Sequence, residues 1–167
     1  MVIEKILNNN AVVSLSDERS EIIVMGKGIA FGKKRGDLID DDRIEKVFTL
    51  KNGDLTNKLK QLIEEIPIEY MAVSEDIIKF TKLQLGKSLN DTIYISLTDH
   101  IHYAVERFKK GLIIKNGLLW EIKNLYKEEF QIGLEALKMI EQAFGVGLPE
   151  DEAAFIALHI VNAELNE

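Results

Sequence analysis

The chain has 167 residues, 21 Lys and Arg against 28 Asp and Glu for a net charge of −7, and 46% hydrophobic residues. That balance describes a globular chain of one domain or two small ones and excludes a disordered one. It has no cysteine, which excludes disulfides, Cys-ligated zinc, iron–sulfur clusters and a thiol nucleophile. No apolar run approaches the roughly 18 residues that span a bilayer, and the opening MVIEKILNNN has no signal-peptide pattern. The expectation is a cytoplasmic protein without membrane insertion.

Up to about residue 50 the apolar runs are short: VIEKIL, AVVSLS, EIIVMG and RIEKVFTL. They are rich in β-branched residues and separated by Asn8-Asn9-Asn10, by Asp17-Glu18-Arg19-Ser20 and by the glycines at 26, 28, 32 and 36. Such runs read as antiparallel strands joined by hairpins. Lys51-Asn52-Gly53-Asp54 is a short polar linker. Beyond it, five segments carry apolar residues at spacings of three and four, which predicts helices. They are LTNKLKQLIEEI, SEDIIKFTKLQLG, DTIYISLTDHIHYAVERFKKG, LLWEIKNLYKEEFQIGLEALKMIEQAFG and PEDEAAFIALHIVNAEL. Ser74, Asn90-Asp91 and Pro149 supply start signals, and Gly86, Gly111 and Gly145 supply stops. Ile93, Ile95 and Leu97 alternate as a strand would, but about twenty residues without a breaker exceed a typical strand, so the segment reads as helix.

The boundaries that follow are 1–55 for an all-β domain and 56–167 for an all-α domain. The first carries 9 basic and 10 acidic residues, the second 12 and 18, so the acidity belongs mostly to the helices. A sheet of about 55 residues without disulfide or metal buries little surface. Pairing two such sheets would supply the missing core, so a homodimer is expected. Between Ile22 and Gly36 stand Lys27, Lys33, Lys34 and Arg35 with no acidic residue, and Phe31 lies among Gly26, Gly28 and Gly32. The bland account is a surface charge cluster beside a core Phe. The alternative is a nucleic-acid surface, with cations for phosphates, a ring for stacking and asparagine amides for base edges. The residues alone do not choose between RNA and DNA.

All three histidines lie in the helical part. His100 and His102 are about 200° apart on a helix and cannot share a metal. No other metal-ligand spacing, nucleophile elbow, phosphate-binding loop or carboxylate pair occurs, so neither enzyme activity nor a cofactor is expected. His100 borders the stripe Leu97, Ile101, Ala104, and His159 borders Phe155, Leu158 and Val161. Both are expected to be half-buried, as structural histidines or as neutral imidazoles able to accept a phosphoryl group. Asp99 is placed to orient or screen His100. His102 falls on another face and reads as solvated.

The strings Ile6-Leu7-Asn8-Asn9-Asn10-Ala11-Val12, Val24-Met25-Gly26-Lys27-Gly28-Ile29-Ala30-Phe31-Gly32-Lys33-Lys34 and Arg43-Ile44-Glu45-Lys46-Val47-Phe48 resemble the RNA-binding domain of the BglG/SacY family of transcriptional antiterminators. Asn116-Gly117-Leu118-Leu119-Trp120-Glu121-Ile122 and Leu148-Pro149-Glu150-Asp151-Glu152-Ala153-Ala154-Phe155-Ile156-Ala157-Leu158-His159-Ile160 resemble a phosphotransferase-system regulation domain (PRD), as do Glu106-Arg107-Phe108 and Tyr126-Lys127-Glu128-Glu129-Phe130. The resemblance implies a four-stranded, dimerising RNA-binding domain followed by a five-helix regulation domain, the first of the family's usual two. It implies RNA contacts at Asn10, Gly26, Lys27 and Phe31, with Lys5 as a weaker phosphate contact. Family members often carry Arg in place of Lys27, and Lys neither stacks nor forks as Arg does. It implies phosphorylation at His100 and His159, with Asp99 as a regulatory partner. The implied partners are an RNA hairpin in nascent mRNA, a second copy of the chain, a sugar-specific enzyme II and the phosphocarrier HPr. The implied function is sugar-responsive antitermination; the alternative is a DNA-binding repressor with a helical sensor domain.

Overall fold

The computed structural model describes residues 1–49 and 53–165. Lys51 and Asn52 of the expected linker lie outside the described residues, as does Leu50 at the end of the fourth apolar run; Gly53 and Asp54 open a helix. The chain divides into two compact units, Met1–Ile68 and Glu69–Glu167.

The first unit is a four-stranded antiparallel meander in the order β1-β2-β3-β4. Its strands are β1 (Lys5–Asn8), β2 (Ala11–Leu15), β3 (Glu21–Met25) and β4 (Lys46–Thr49). Val12 pairs with Val24, and Val24 with Val47; Val13 pairs with Ile23, and Ile23 with Phe48. The two-residue period sends these rows to opposite faces. Val12, Ile22 and Val24 join Ile3, Ile29, Ala30 and Ile39 in one core. Val13, Ile23 and Phe48 are buried as well, so the sheet is covered on both sides. Helix α1 (Gly53–Glu65) packs against β1. It buries Leu59, Leu62 and Ile63, and its Ile63 carbonyl accepts a hydrogen bond from Asn8 Nδ2 at 3.1 Å. Lys60 pairs with Glu21 of β3. The compact unit therefore runs on to Ile68, and the helix assigned by sequence to the second domain covers the sheet of the first.

Among the described residues six helices follow the sheet, not the expected five, and α1 is the first of them. The other five are α2 (Ile68–Leu85), α3 (Ile93–Lys109), α4 (Leu119–Leu125), α5 (Lys127–Phe144) and α6 (Glu150–Leu165). The long fourth segment breaks at Tyr126, whose backbone leaves the helical region at φ −122°, ψ 59°. Apolar periodicity continues across the break because the helices on either side of it both turn their apolar sides to α6, with Ile122 and Phe130 packing on Ala153, Ala154 and Ala157. The start signal read at Ser74 was also misplaced. Helix α2 begins after Pro67, which lacks the N–H needed to continue α1 and suits a helix start; Ser74 is fully buried within α2. The ambiguous segment at 93–109 is helical.

Helix α6 is the centre of this unit and packs on α3, α4 and α5. It buries Ala153, Ala154, Ile156, Ala157, Ile160, Val161 and Ala163, apolar on nearly every side, as a helix with neighbours all round must be. Gly133 of α5 lets the two backbones close: a Cβ there would lie 2.3 Å from the Ala153 carbonyl oxygen. Among the described residues, no helix is long and apolar enough to cross a membrane.

Candidate nucleic-acid interface and histidine pair

Residues 26–37, between β3 and the short 3-10 turn Asp41–Arg43, form a chain of tight turns: the Ile29 N–H donates to the Gly26 carbonyl, Phe31 to Gly28 and Lys33 to Ala30. The turns stay in place because Ile29 and Ala30 are buried in the sheet core. Phe31, next in sequence, turns outward and is 76% exposed. An isolated, fully presented aromatic ring beside buried anchors is a stacking platform rather than core.

Asn10 ties this loop to the β1–β2 turn. Its carbonyl accepts the Gly26 N–H at 2.9 Å, and its side-chain Oδ1 accepts the Gly28 N–H at 2.8 Å. The Asn9 carbonyl accepts the Ala30 N–H at 2.9 Å. The remaining Asn10 group, the Nδ2 amide, has no protein partner among the described residues, so it can donate to a base. Gly26 is required by a close approach: a Cβ would stand 1.8 Å from the Arg43 carbonyl oxygen. Gly28 adopts φ 69°, which favours glycine. Lys27 is exposed next to this cluster. Lys5, on β1, instead pairs with Glu64 of α1 at 3.6 Å. Lys33 is held by Asp40 and the Leu38 carbonyl.

In the second unit, α3 and α6 bring two histidines together. The rings of His100 and His159 lie 5.1 Å apart between centroids, with Phe155 5.5 Å from His100. Nε2 of His100 meets Glu152 Oε2 at 2.8 Å, and Arg107 reaches the other oxygen, Oε1, at 3.7 Å. Glu152 is only 4% exposed. The spacing explains the assembly. His100 and Arg107 are seven residues apart on α3, as are Glu152 and His159 on α6, so each pair shares one face two turns apart. Burial, and then the neighbouring His100, push the His159 pKa down to about 4. At neutral pH it is an uncharged imidazole with a free lone pair. Among the described residues, no hydrogen bond joins Asp99 to either ring; the carboxylate on His100 is Glu152. His102 lies apart, its ring against the edge of Tyr70 at 4.8 Å, so it is half-buried rather than solvated.

Comparison with known proteins gives this arrangement its lineage. A PRD domain model matches residues 75–163, and a CAT RNA binding domain model matches residues 1–57. The crystal structure of GlcT CAT-PRDI superposes with a TM-score of 0.83 at 40% identity, covering 98% of this chain and 97% of that one. The chain belongs to the family that joins a CAT RNA binding domain to a PRD domain. It is 62% identical over its whole length to the transcription antiterminator LicT of Bacillus subtilis, and 49% identical over 99% of its length to the beta-glucoside operon antiterminator of Dickeya chrysanthemi. It spans 60% and 59% of the lengths of those two relatives.

In this CAT–PRD chain the residues expected at the RNA surface gather in two groups. Asn10, Gly26, Lys27 and Phe31 lie together on one loop cluster, while Lys5 is engaged by α1. Two residues of the histidine site escaped the sequence reading, Glu152 and Arg107. The signal was present in the seven-residue spacing on each helix, but Glu152 sits in a run of three acidic residues that serves as an ordinary helix start.

Proposed function

We propose that the chain is the RNA-binding and first regulatory part of a sugar-responsive transcriptional antiterminator. The CAT domain, as a dimer, grips a hairpin in nascent mRNA and prevents a terminator from forming. Phosphotransferase-system proteins, a sugar-specific enzyme II and HPr, phosphorylate His100 and His159 and thereby set the dimer. The observation that carries this reading is the exposed Phe31 ring, anchored by Ile29 and Ala30 beside the free amide of Asn10. Such a surface suits unstacked bases in an RNA loop better than the edges of a duplex groove. Lys27 adds a phosphate contact, and Lys5 joins it only if it leaves Glu64.

The energetics fit a switch. A phosphohistidine carries roughly two negative charges. Two of them about 10 Å apart across a dimer axis repel by roughly 2 kcal/mol in water and up to about 7 kcal/mol at an effective dielectric near 20. Moving a population from 1:99 to 99:1 takes about 5.5 kcal/mol. Partly desolvated phosphates are therefore required, and the half-buried setting of both rings supplies that condition. Two measurements test the reading. Competition between an RNA hairpin and duplex DNA at matched salt is expected to favour the hairpin by orders of magnitude; preference for the duplex would favour a repressor. His100→Asp and His159→Asp are expected to weaken hairpin binding and the dimer together, and unchanged constants for both would refute the switch.

A further inference from the structure

The second unit holds its two imidazoles in one place rather than at two sites. With ring centroids 5.1 Å apart, a phosphoryl group on each would put two dianions on neighbouring rings. The cluster already has balanced charge, one buried carboxylate on Glu152 facing one guanidinium on Arg107. Arg107 can offset part of a first phosphoryl group. A second would add roughly two more negative charges beside the first and beside Glu152. We infer that His100 and His159 form a single phosphoryl-acceptor site, which holds one phosphoryl group per chain on either ring but not on both. This rests on the reading of the second unit as a phosphorylated regulator.

The chemistry is consistent at each ring. A carboxylate can only accept a hydrogen bond, so the Glu152 contact places the His100 proton on Nε2 and leaves the lone pair on Nδ1. Nδ1 attacks phosphorus as the N–P bond of a phosphohistidine donor breaks. The electron pair of that bond returns to the donor ring, which arrives protonated and leaves neutral. The His100 ring keeps its Nε2 proton and becomes cationic, with the Glu152 carboxylate against it. Glu152 is thus a positioning residue. His159 makes no hydrogen bond among the described residues, and its uncharged ring can attack through its own lone pair in the same way. Whichever ring reacts first, its phosphoryl group then faces the other ring and repels an incoming donor phosphate.

The test counts phosphoryl groups on the full chain. Phosphorylated HPr and a phosphorylated sugar-specific enzyme II, both recharged by enzyme I and phosphoenolpyruvate, are incubated to saturation with chains carrying His102→Gln, which removes the third histidine from the count. Intact mass is expected to level off at one phosphoryl group. His100→Gln and His159→Gln in that background are each expected to accept one, and the double variant none. Fragmentation of the singly modified chain is expected to place the group on His100 in some molecules and on His159 in others. Doubly modified chains are expected to be suppressed at least a hundredfold. Two groups per chain, or a single variant that accepts none while still folded by circular dichroism, would overturn the shared site and leave the regulatory reading standing. No uptake by the parent chain from either fully charged donor would overturn that regulatory reading as well. Should a variant unfold, fragmentation of the parent chain decides alone: co-modification of both rings in one molecule refutes the inference.

Discussion

The two candidate sites of this chain are built in opposite ways. In the CAT domain the ring that would meet RNA projects into solvent, and the work of holding it falls to buried neighbours and backbone hydrogen bonds: Ile29 and Ala30 below, Asn10 alongside. In the PRD domain the candidate rings themselves are partly buried, and one of them, His100, is held by Glu152, which Arg107 engages in turn. A surface that binds a macromolecule must be presented whole, so its contact residues carry little of the fold's stability. A site that takes up a covalent charge gains from a partly desolvated setting, where each charge acts more strongly, so its residues do contribute to stability.

That contrast can be broken at several points. The largest effect is expected from Gly26→Ala, where the added methyl meets the Arg43 carbonyl oxygen at 1.8 Å. Both segments are backbone in a packed unit, and relief requires moving one of them. A loss of about 3 kcal/mol or more is expected in denaturant unfolding. A loss under 1 kcal/mol would mean that the loop is not held as tightly as the contrast requires. This variant tests the scaffold beneath the RNA surface rather than the surface itself.

Next is the acid response of the PRD domain. The His159 pKa is about 4 in the fold and about 6.5 in an unfolded chain. Below pH 6.5 the unfolded chain therefore binds a proton that the fold refuses. The stability contribution is full above that pH and is lost as pH falls toward 4, amounting to about 3 kcal/mol in total. His159→Asn should flatten this part of the stability–pH curve between pH 6.5 and 4. An unaltered slope would show that the proton uptake belongs elsewhere.

Phe31→Ala should cost about 1–3 kcal/mol in hairpin affinity, roughly ten- to a hundredfold. Because the ring is exposed, the unfolding midpoint should barely move. Equal losses of affinity and stability would mean that the ring belongs to the core and would remove the distinction between the two sites. The smallest effect is expected from Lys5→Ala. Its pair with Glu64 is exposed on both sides, and such pairs contribute under about 1 kcal/mol. If Lys5 also touches phosphate, the salt dependence of hairpin binding should become shallower by about one ion; an unchanged slope would confine Lys5 to α1.

Much of the chain was legible from its order of residues because short-range physics governs it. Alternating β-branched runs between turn residues become strands wherever one face is buried, and all four appear where the runs are. Glycines at 86, 111 and 145 end helices because each adopts a left-handed backbone, open to them at little cost. The half-buried state of His100 and His159 followed from their place at the edge of an apolar stripe. The tertiary structure decided the rest. The break at Tyr126 is invisible to periodicity because both sides of it face the same helix. The attachment of α1 to the sheet depends on which apolar surfaces meet, and its amphipathic pattern is equally compatible with either unit. The pairing of His100 with Glu152 across 52 positions, where the adjacent Asp99 was the natural candidate, arises from the packing of α3 against α6. Local sequence sets what each segment can be and which face it turns inward, but only the burial of those faces together selects which charged groups end up within reach of one another.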